Sequence, residues 1–253
     1  MTNLSNKNIV HVKDGDIEYI QFKKLLEYKE EIEHCFTIKP LDFGDNNNAK
    51  NNFSKYEKQY KKLCENLNWN YEKIIRPFQT HTDVVKSIKQ EEELGIFPKY
   101  LDDVDGVMTN EKDIILATAS ADCILLLFYD PVKRVIANTH SGWQGTFKEI
   151  SVNTVNQMIQ EYNSNPSDII CCMAPSISKE MFEVDEDLYQ KFYDKFKTLK
   201  RVNEIFEKGE IKENKQKYHI DTVLINREIL ENIGLKFENI VESEICTVKN
   251  SDI

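Results

Sequence analysis

Cys123 and His140 are the residues whose types and spacing first indicate chemistry. The segment "ADCILLLFYDPVKRVIANTHSGWQGT" (121–146) places the cysteine before one very apolar run and the histidine at the end of the next. Its middle, "DPVK" (130–133), is typical of a hairpin turn. A two-residue loop there predicts that Cys123 lies directly opposite His140 on one sheet face, with Cβ atoms about 4.5–5.5 Å apart. A four-residue loop keeps that register, whereas a bulged three-residue loop would separate the two side chains.

A thiol beside an imidazole suits two chemistries, a shared metal ion or a Cys–His nucleophile pair. The structural alternative is a buried cysteine next to a core histidine that hydrogen-bonds to the backbone. Asp122 before the cysteine and "SGWQGT" after the histidine favour a functional site, because glycines let the backbone approach a ligand. His81 in "FQTHTD" is a third candidate at a predicted strand break, although alone such a histidine is more typical of a surface turn.

A helix is predicted to begin at Thr146 and to run to Tyr162, because apolar residues recur there at helical spacing. Thr146 and Glu149 match a T-x-x-E capping box at its start. The unpaired N–H groups and the dipole of a helix start favour negative charge, so Gly145 and Thr146 are predicted to form an anion-binding segment.

The elements around this segment predict one α+β domain over residues 1–253, with hairpins and no regular βαβ series. Helices are predicted at "FSKYEKQYKKLCENL", "EDLYQKFYDKF" and "TVLINREILENIG", and strands on both sides of His81 and at "DIILATAS", "DIICCMA", "KYHID" and "IVESEIC". A turn is predicted at the Asp and Gly residues of "DVDGVMTN". Solvated loops are predicted at two polar stretches, "GDNNNAKNN" (44–52) and "EKGEIKENKQK" (207–217).

Composition excludes several classes of protein. The formal net charge of −10 argues against a general nucleic-acid binder, although it is compatible with a local anion pocket. No apolar stretch is long enough to cross a membrane and the first residues lack a secretory signal, so we expect a cytoplasmic protein. The six cysteines show no CxxC spacing, which makes a disulfide framework improbable.

An ordered set of motifs carries a family resemblance. "FQTHTDVV", "DVDGVMT", "TASADC", "LLFYDP", "ANTHSGWQGT", "MAPSISKEMFEV" and "HIDTVLINREIL" follow one another over about residues 74–247. This set resembles the multicopper polyphenol oxidase (laccase-like) family, now regarded as zinc-dependent purine nucleoside phosphorylases. The resemblance implies a layered αββα sandwich similar to the cysteine-hydrolase-like fold.

The resemblance also implies a site and a reaction. It implies a zinc ion at His81, Cys123 and His140, and purine nucleosides and phosphate as the binding partners. Family members are associated with phosphorolysis of adenosine, inosine, guanosine and methylthioadenosine and with deamination of adenosine. Asp122 is then a candidate to orient a ligand or to transfer protons, against the alternative of an ordinary aspartate at a hairpin end.

Departures from the family pattern keep two further hypotheses open. Gln144 replaces an arginine of the "GWRG" block, so the predicted phosphate-binding set of Gln144, Gly145 and Thr146 lacks one charge. Thr82 stands where the family has glycine, and the aromatic and arginine-rich segment that follows the family's "CT" is expected to be missing. The alternatives are a metal-independent cysteine hydrolase with Cys123 as nucleophile and His140 as base, or a catalytically weakened nucleotide- or metal-binding module. Copper oxidation of phenols ranks lower, because the sequence has too few histidines for a multicopper cluster.

Overall fold

The structure, a computed structural model, describes residues 3–44, 46–89, 93–250 and 253. The strands are β1 (Ile9–Asp14), β2 (Ile17–Phe22), β3 (Phe36–Ile38), β4 (Ile74–Arg76), β5 (Val85–Ser87), β6 (Gly95–Ile96), β7 (Gly106–Thr109), β8 (Ile115–Leu116), β9 (Ile124–Asp130), β10 (Val135–Ser141), β11 (Ile170–Met173), β12 (Glu183–Asp185), β13 (Phe206–Lys212), β14 (Lys215–Ile220) and β15 (Ile240–Glu242). The helices are α1 (Lys23–Leu26), α2 (Asn46–Asn51), α3 (Phe53–Leu67), α4 (Trp143–Phe147), α5 (Ile150–Tyr162), α6 (Glu186–Phe196), α7 (Val202–Ile205) and α8 (Thr222–Asn232).

A six-stranded mixed sheet, in the order β15-β11-β9-β10-β7-β5, is the framework of the site. Its central pairs β11–β9, β9–β10 and β10–β7 are antiparallel, and its outer pairs β15–β11 and β5–β7 are parallel. Three smaller sheets have the orders β1-β2-β3, β12-β14-β13 and β6-β4-β8. The chain therefore has the mixed α+β architecture that the sequence predicts.

The faces of the six-stranded sheet are covered by different layers. Leu126 and Phe128 of β9 pack with Met158 of α5 on one face. Tyr129, the next residue along β9, packs with Ile20 of β2 on the other face. The opposite face of β2 contacts helix α3 through a cluster that includes Ile17, Tyr19, Leu63 and Leu67. Side-chain alternation along β9 thus gives a layer order of helix, sheet, sheet and helix. The likeness to the cysteine-hydrolase-like fold and the single domain stay predictions.

The predicted helix from Thr146 to Tyr162 ends at the observed residue, but its predicted first residue is wrong. Short helix α4 begins at Trp143, and helix α5 begins only at Ile150. Glu149 lies between them in the left-handed region, with φ of 61°, and no side chain caps either helix start. The capping box of Thr146 and Glu149 therefore does not form, because Thr146 already lies inside α4.

Two stretches predicted as solvated loops carry regular structure. Asn46–Asn51 within the first stretch forms helix α2, while residue 45 lies outside the described residues. The second stretch forms most of the hairpin β13–β14, which has a register shift between Lys208 and Ile211. Its many charges misled the prediction, because they lie on exposed strands, where Lys212 and Lys217 pair with Glu183 and Asp185 of β12. Among the described residues, no helix is both long and apolar enough to cross a membrane.

Candidate metal centre

The hairpin β9–β10 places Cys123 and His140 on one face, although in a register that differs from the predicted one. His140 pairs with Leu125, and Ser141 pairs with Ile124. The direct opposition of Cys123 and His140 is therefore wrong, because the turn occupies residues 131–134 and shifts the register by two. A shift of two preserves the side-chain alternation, so Cys123 lies diagonal to His140 on the same face.

The turn has a physical reason for its position. The Oδ1 atom of Asp130 accepts hydrogen bonds from the backbone N–H groups of Val132 and Lys133, and Arg134 closes the turn with φ of 55°. The aspartate side chain therefore organises a four-residue loop that begins after Asp130. The predicted loop instead had its centre at Pro131 and Val132.

His81 completes a cluster of three donors. It lies in the loop between β4 and β5, with φ of 64°. The ligand atoms of His81, Cys123 and His140 all lie within 4.8 Å of one another, and the Cys123 Sγ atom is 4.0 Å from His81 Nε2. Donors bound to one zinc ion at about 2.0–2.3 Å lie about 3.3–3.7 Å apart at tetrahedral angles, so side-chain movements of about 1 Å would close the set.

The side chain of Asp105 connects two members of this cluster, His81 and His140, through hydrogen bonds. Its side chain is fully buried, and its carboxylate accepts hydrogen bonds from the backbone N–H groups of Thr80, His81 and Thr82 at 2.7–3.1 Å. It also accepts from the Thr82 hydroxyl at 2.8 Å and pairs with His140 Nδ1 at 2.8 Å. One carboxylate therefore fixes both the backbone that carries His81 and the ring of His140.

The Asp105 contact sets the chemistry of His140. Burial and hydrogen bonding from His140 and Thr82 act in opposite directions on the Asp105 carboxyl, and the hydrogen bonds hold its pKa below the usual range. An ionised carboxylate only accepts, so Nδ1 of His140 carries the proton and Nε2 is left for a ligand. Burial of His140 opposes its charged form, but Asp105 and Cys123 outweigh burial and raise its pKa to about 9. Near neutral pH the ring of the metal-free protein therefore also carries a proton on Nε2, and a metal ion would displace that proton when it binds.

His81 has the opposite electrostatic bias. Burial and the neighbouring His140 lower its pKa, and Asp105 only partly compensates. The two rings lie edge to face, with centroids 5.0 Å apart. A neutral imidazole is the form that binds a metal ion, so His81 is ready to act as a ligand near neutral pH.

Gly142 is needed because the site is crowded at this point. A Cβ atom at position 142 would lie 2.7 Å from His81 Cδ2 and 3.0 Å from Cys123 Sγ. Both distances are shorter than, or at the limit of, normal contacts. The glycine therefore lets the backbone between β10 and α4 lie directly against two of the three donors.

The other predicted site residues lie around the cluster. Asp122 is exposed, and its carboxylate accepts a hydrogen bond from the Thr247 hydroxyl at 2.7 Å, so its catalytic role stays a prediction. Thr146 and Gly145 are buried, and the Thr146 hydroxyl contacts Ser141 and Asn226. Gln144 is only half-buried, and the phosphate-binding role of this segment stays a prediction.

Sequence reasoning missed Asp105. The Asp and Gly residues of "DVDGVMTN" predict a turn, whereas the structure begins strand β7 at Gly106. The available signal was an aspartate directly before a buried strand. That position places a carboxylate at the end of a strand, beside the last residues of the neighbouring strand β10, which include His140.

Comparison with known proteins identifies relatives of this chain. A sequence profile of the family described as multi-copper polyphenol oxidoreductase laccase matches residues 39–253. The chain belongs to this laccase family. Purine nucleoside phosphorylase YlmD of Bacillus subtilis (strain 168) is 33% identical over 191 residues, which cover 73% of this chain and 65% of that protein. Adenosine deaminase RL5 of an unknown prokaryotic organism is 28% identical over 193 residues, which cover 73% of this chain and 69% of that protein.

A solved structure supports the fold. The hypothetical protein YfiH of Bacillus licheniformis superposes with a TM-score of 0.74 at 22% identity, covering 96% of this chain and 88% of that one. The resemblance that the motifs predict is thus confirmed for the family. The chain spans about two thirds of the length of the Bacillus subtilis relative.

Replacing Asp105 tests its role in this laccase-family site. We expect Asp105→Asn to weaken zinc binding about 10- to 100-fold, because an amide no longer fixes the His140 tautomer. It should also lower the free energy of unfolding of the metal-free protein by about 1–3 kcal/mol, because buried donors lose their acceptor. Zinc titration and urea denaturation measure the two effects. Asp103→Asn, which alters an exposed carboxylate two residues away, is the matched control; equal losses in both variants would contradict the assignment.

Replacing Gly142 tests the crowding. Gly142→Ala should displace the His81 ring or the Cys123 thiol and weaken zinc binding at least 10-fold, because the new methyl group occupies their space. Gly145→Ala adds the same methyl group inside α4, where its nearest neighbour is Ile150 Cγ2 at 3.2 Å. Zinc affinity unchanged in Gly142→Ala would show that the two donors are not confined as described.

Proposed function

We propose that this chain is a zinc-dependent purine nucleoside phosphorylase that also deaminates adenosine. The observation that carries the proposal is the convergence of His81, Cys123 and His140 on one point above the buried Asp105 carboxylate. Relatives named purine nucleoside phosphorylase and adenosine deaminase support both reactions. Adenosine, inosine, guanosine and methylthioadenosine are the proposed substrates, with phosphate as the second substrate.

The donor set fits zinc. Two imidazole nitrogens and one thiolate are three protein ligands, which is the number typical of a catalytic zinc site with one open position. The same donors also occur in copper sites, so metal analysis must separate the two ions. When bound, zinc supplies a Lewis acid that polarises a water molecule or a substrate oxygen.

The residues of this chain do the positioning. Asp105 keeps the Nδ1 proton on His140 and orients the ring, while its contacts with residues 80–82 hold His81 in place. Asp122 is the proposed group for proton transfer, because it is exposed to solvent and directly precedes Cys123 in the chain. Its hydrogen bond with Thr247 would keep it in one orientation.

The phosphate contact is proposed at the segment after His140. Gly145 and Thr146 are buried, so Gln144 is the member of this set whose side chain reaches the surface. A neutral amide binds phosphate less strongly than a guanidinium, which pairs with it through two charged hydrogen bonds. We therefore expect the phosphate KM of this chain to be higher than that of a Gln144→Arg variant.

Metal content is the first test. Purified protein should contain about one zinc per chain, and His81→Ala, Cys123→Ser and His140→Ala should each deplete it because each removes one of three ligands. Elemental analysis for zinc and copper, with circular dichroism to check the fold, measures this result. Lys133→Ala, a change in the distant hairpin turn, serves as control. Full zinc content in His81→Ala would remove that residue from the site.

Product analysis is the second test. Adenosine with phosphate should yield adenine and ribose 1-phosphate, whereas adenosine with water alone should yield inosine and ammonia. Chromatography separates these products in one experiment, with and without phosphate. Inosine as the sole product under both conditions would contradict the phosphorylase and leave a deaminase. Gln144→Arg should lower the phosphate KM, since it adds the missing charge.

A cysteine hydrolase is the second candidate. Asp105, His140 and Cys123 are in the order of a carboxylate–imidazole–thiol triad, with the carboxylate on Nδ1. The third donor favours the metal site, because His81 has no task in a triad. An activity that survives chelation and is lost in Cys123→Ser would select the hydrolase. Zinc binding without turnover of any nucleoside would select the catalytically weakened binding module.

A further inference from the structure

Trp143 has an exceptional environment for its residue type. Tryptophan is on average a highly buried residue, yet the Trp143 side chain is 40% exposed. In the described part of the chain, no hydrogen bond, ring contact or core cluster includes this side chain. The first turn of α4 thus presents a large aromatic surface to solvent directly after Gly142.

The location of Trp143 relates this surface to the metal centre. Its Cα atom is about 3.8 Å from that of Gly142, and Gly142 packs directly against His81 and Cys123. Among the described residues, the exposed large apolar side chains within three positions of His81, Cys123 or His140 are those of Val84 and Trp143. Both follow a histidine of the cluster by three positions. Trp143 is therefore an exposed aromatic side chain on the residue that directly follows the glycine in contact with two of the donors.

We propose that Trp143 is the surface on which the purine base of the nucleoside stacks. This inference rests on the proposed function and adds the base-binding subsite to it. Stacking on an aromatic side chain is available to every base, since each has a π face. The wide indole ring overlaps a two-ring purine more fully than a one-ring pyrimidine. Because stacking does not read the groups at the edge of the base, adenosine, inosine and guanosine bind with similar affinity, and pyrimidine nucleosides bind more weakly.

Fluorescence tests the contact directly, because the chain has only two tryptophans. The other tryptophan, Trp69, packs against α3, and its indole N–H donates a hydrogen bond to Glu33. The Trp69→Phe variant therefore leaves Trp143 as the single fluorescent tryptophan. Adenosine, added without phosphate to the zinc-loaded full chain, should quench the wild type and Trp69→Phe saturably. Trp143→Phe should show no saturable change. Quenching that is equal in Trp143→Phe and in the wild type would overturn the proposal.

Kinetics separates a substrate contact from a structural role. Trp143→Ala should raise the adenosine KM by about 5- to 150-fold, the range that loss of one stacked aromatic produces, with a smaller change in kcat. Trp143→Phe should restore most of the loss, because a smaller ring still stacks. Val132→Ala is the matched control, since it changes an exposed apolar residue at the far end of the same hairpin.

The outcomes keep this inference distinct from the proposed function. Nucleoside turnover with an unchanged KM in Trp143→Ala overturns the stacking and leaves the phosphorylase. Saturable quenching of Trp143 without turnover of any nucleoside supports the base-binding surface and contradicts the phosphorylase. Trp143 fluorescence that changes with protein concentration but not with adenosine also overturns the stacking, because it assigns this surface to contact between copies of the chain.

Discussion

The buried carboxylate of Asp105 is the interaction on which the rest of the site depends. It accepts hydrogen bonds from three consecutive backbone N–H groups of the His81 loop and pairs with the ring of His140. A buried charge without partners costs several kcal/mol, so these hydrogen bonds are required by the fold as well as by the chemistry. The hydrogen bonds that stabilise the buried Asp105 carboxylate also fix the positions of His81 and His140 in the metal-free protein.

The six-stranded sheet delivers these groups to one place. Asp105 directly precedes β7, which pairs with β10, and the His140 N–H donates to the Asp105 backbone carbonyl at 2.7 Å. Strand β9 lies on the other side of β10 and brings Cys123 to the same end. Asp105 and His140 are therefore held together twice, by a backbone hydrogen bond and by a side-chain hydrogen bond. Such double contact makes independent movement of His140 and the His81 loop costly.

Local patterns allowed much of this arrangement to be predicted. Amphipathic spacing identified Phe53–Leu67 and Glu186–Phe196 within their observed bounds, because these helices bury one apolar stripe. The hairpin prediction had the wrong register and still placed Cys123 and His140 on one face. Side-chain alternation has a period of two, so an error of two residues does not change the face.

What sequence reasoning missed depends on contacts between distant segments. The role of Asp105 is recognisable only when residues 80–82 and His140 surround it, because its position before a buried strand indicates where the carboxylate lies and not what it binds. The break between α4 and α5 escaped prediction because Glu149, an ordinary helix former, adopts a left-handed conformation there. The strand predicted at "KYHID" is confirmed as the end of β14, whereas β13 was missed because it is an exposed edge strand without apolar alternation.

X-ray absorption at the zinc edge tests the central claim most directly, namely that Asp105 holds a preformed two-nitrogen, one-sulfur site. For the zinc-loaded chain we expect one sulfur scatterer at about 2.3 Å and imidazole nitrogens at about 2.0–2.1 Å, with multiple scattering from two histidine rings. In Asp105→Asn the imidazole contribution should fall while the sulfur contribution remains. A wild-type spectrum without sulfur, or an identical spectrum in Asp105→Asn, would contradict the account.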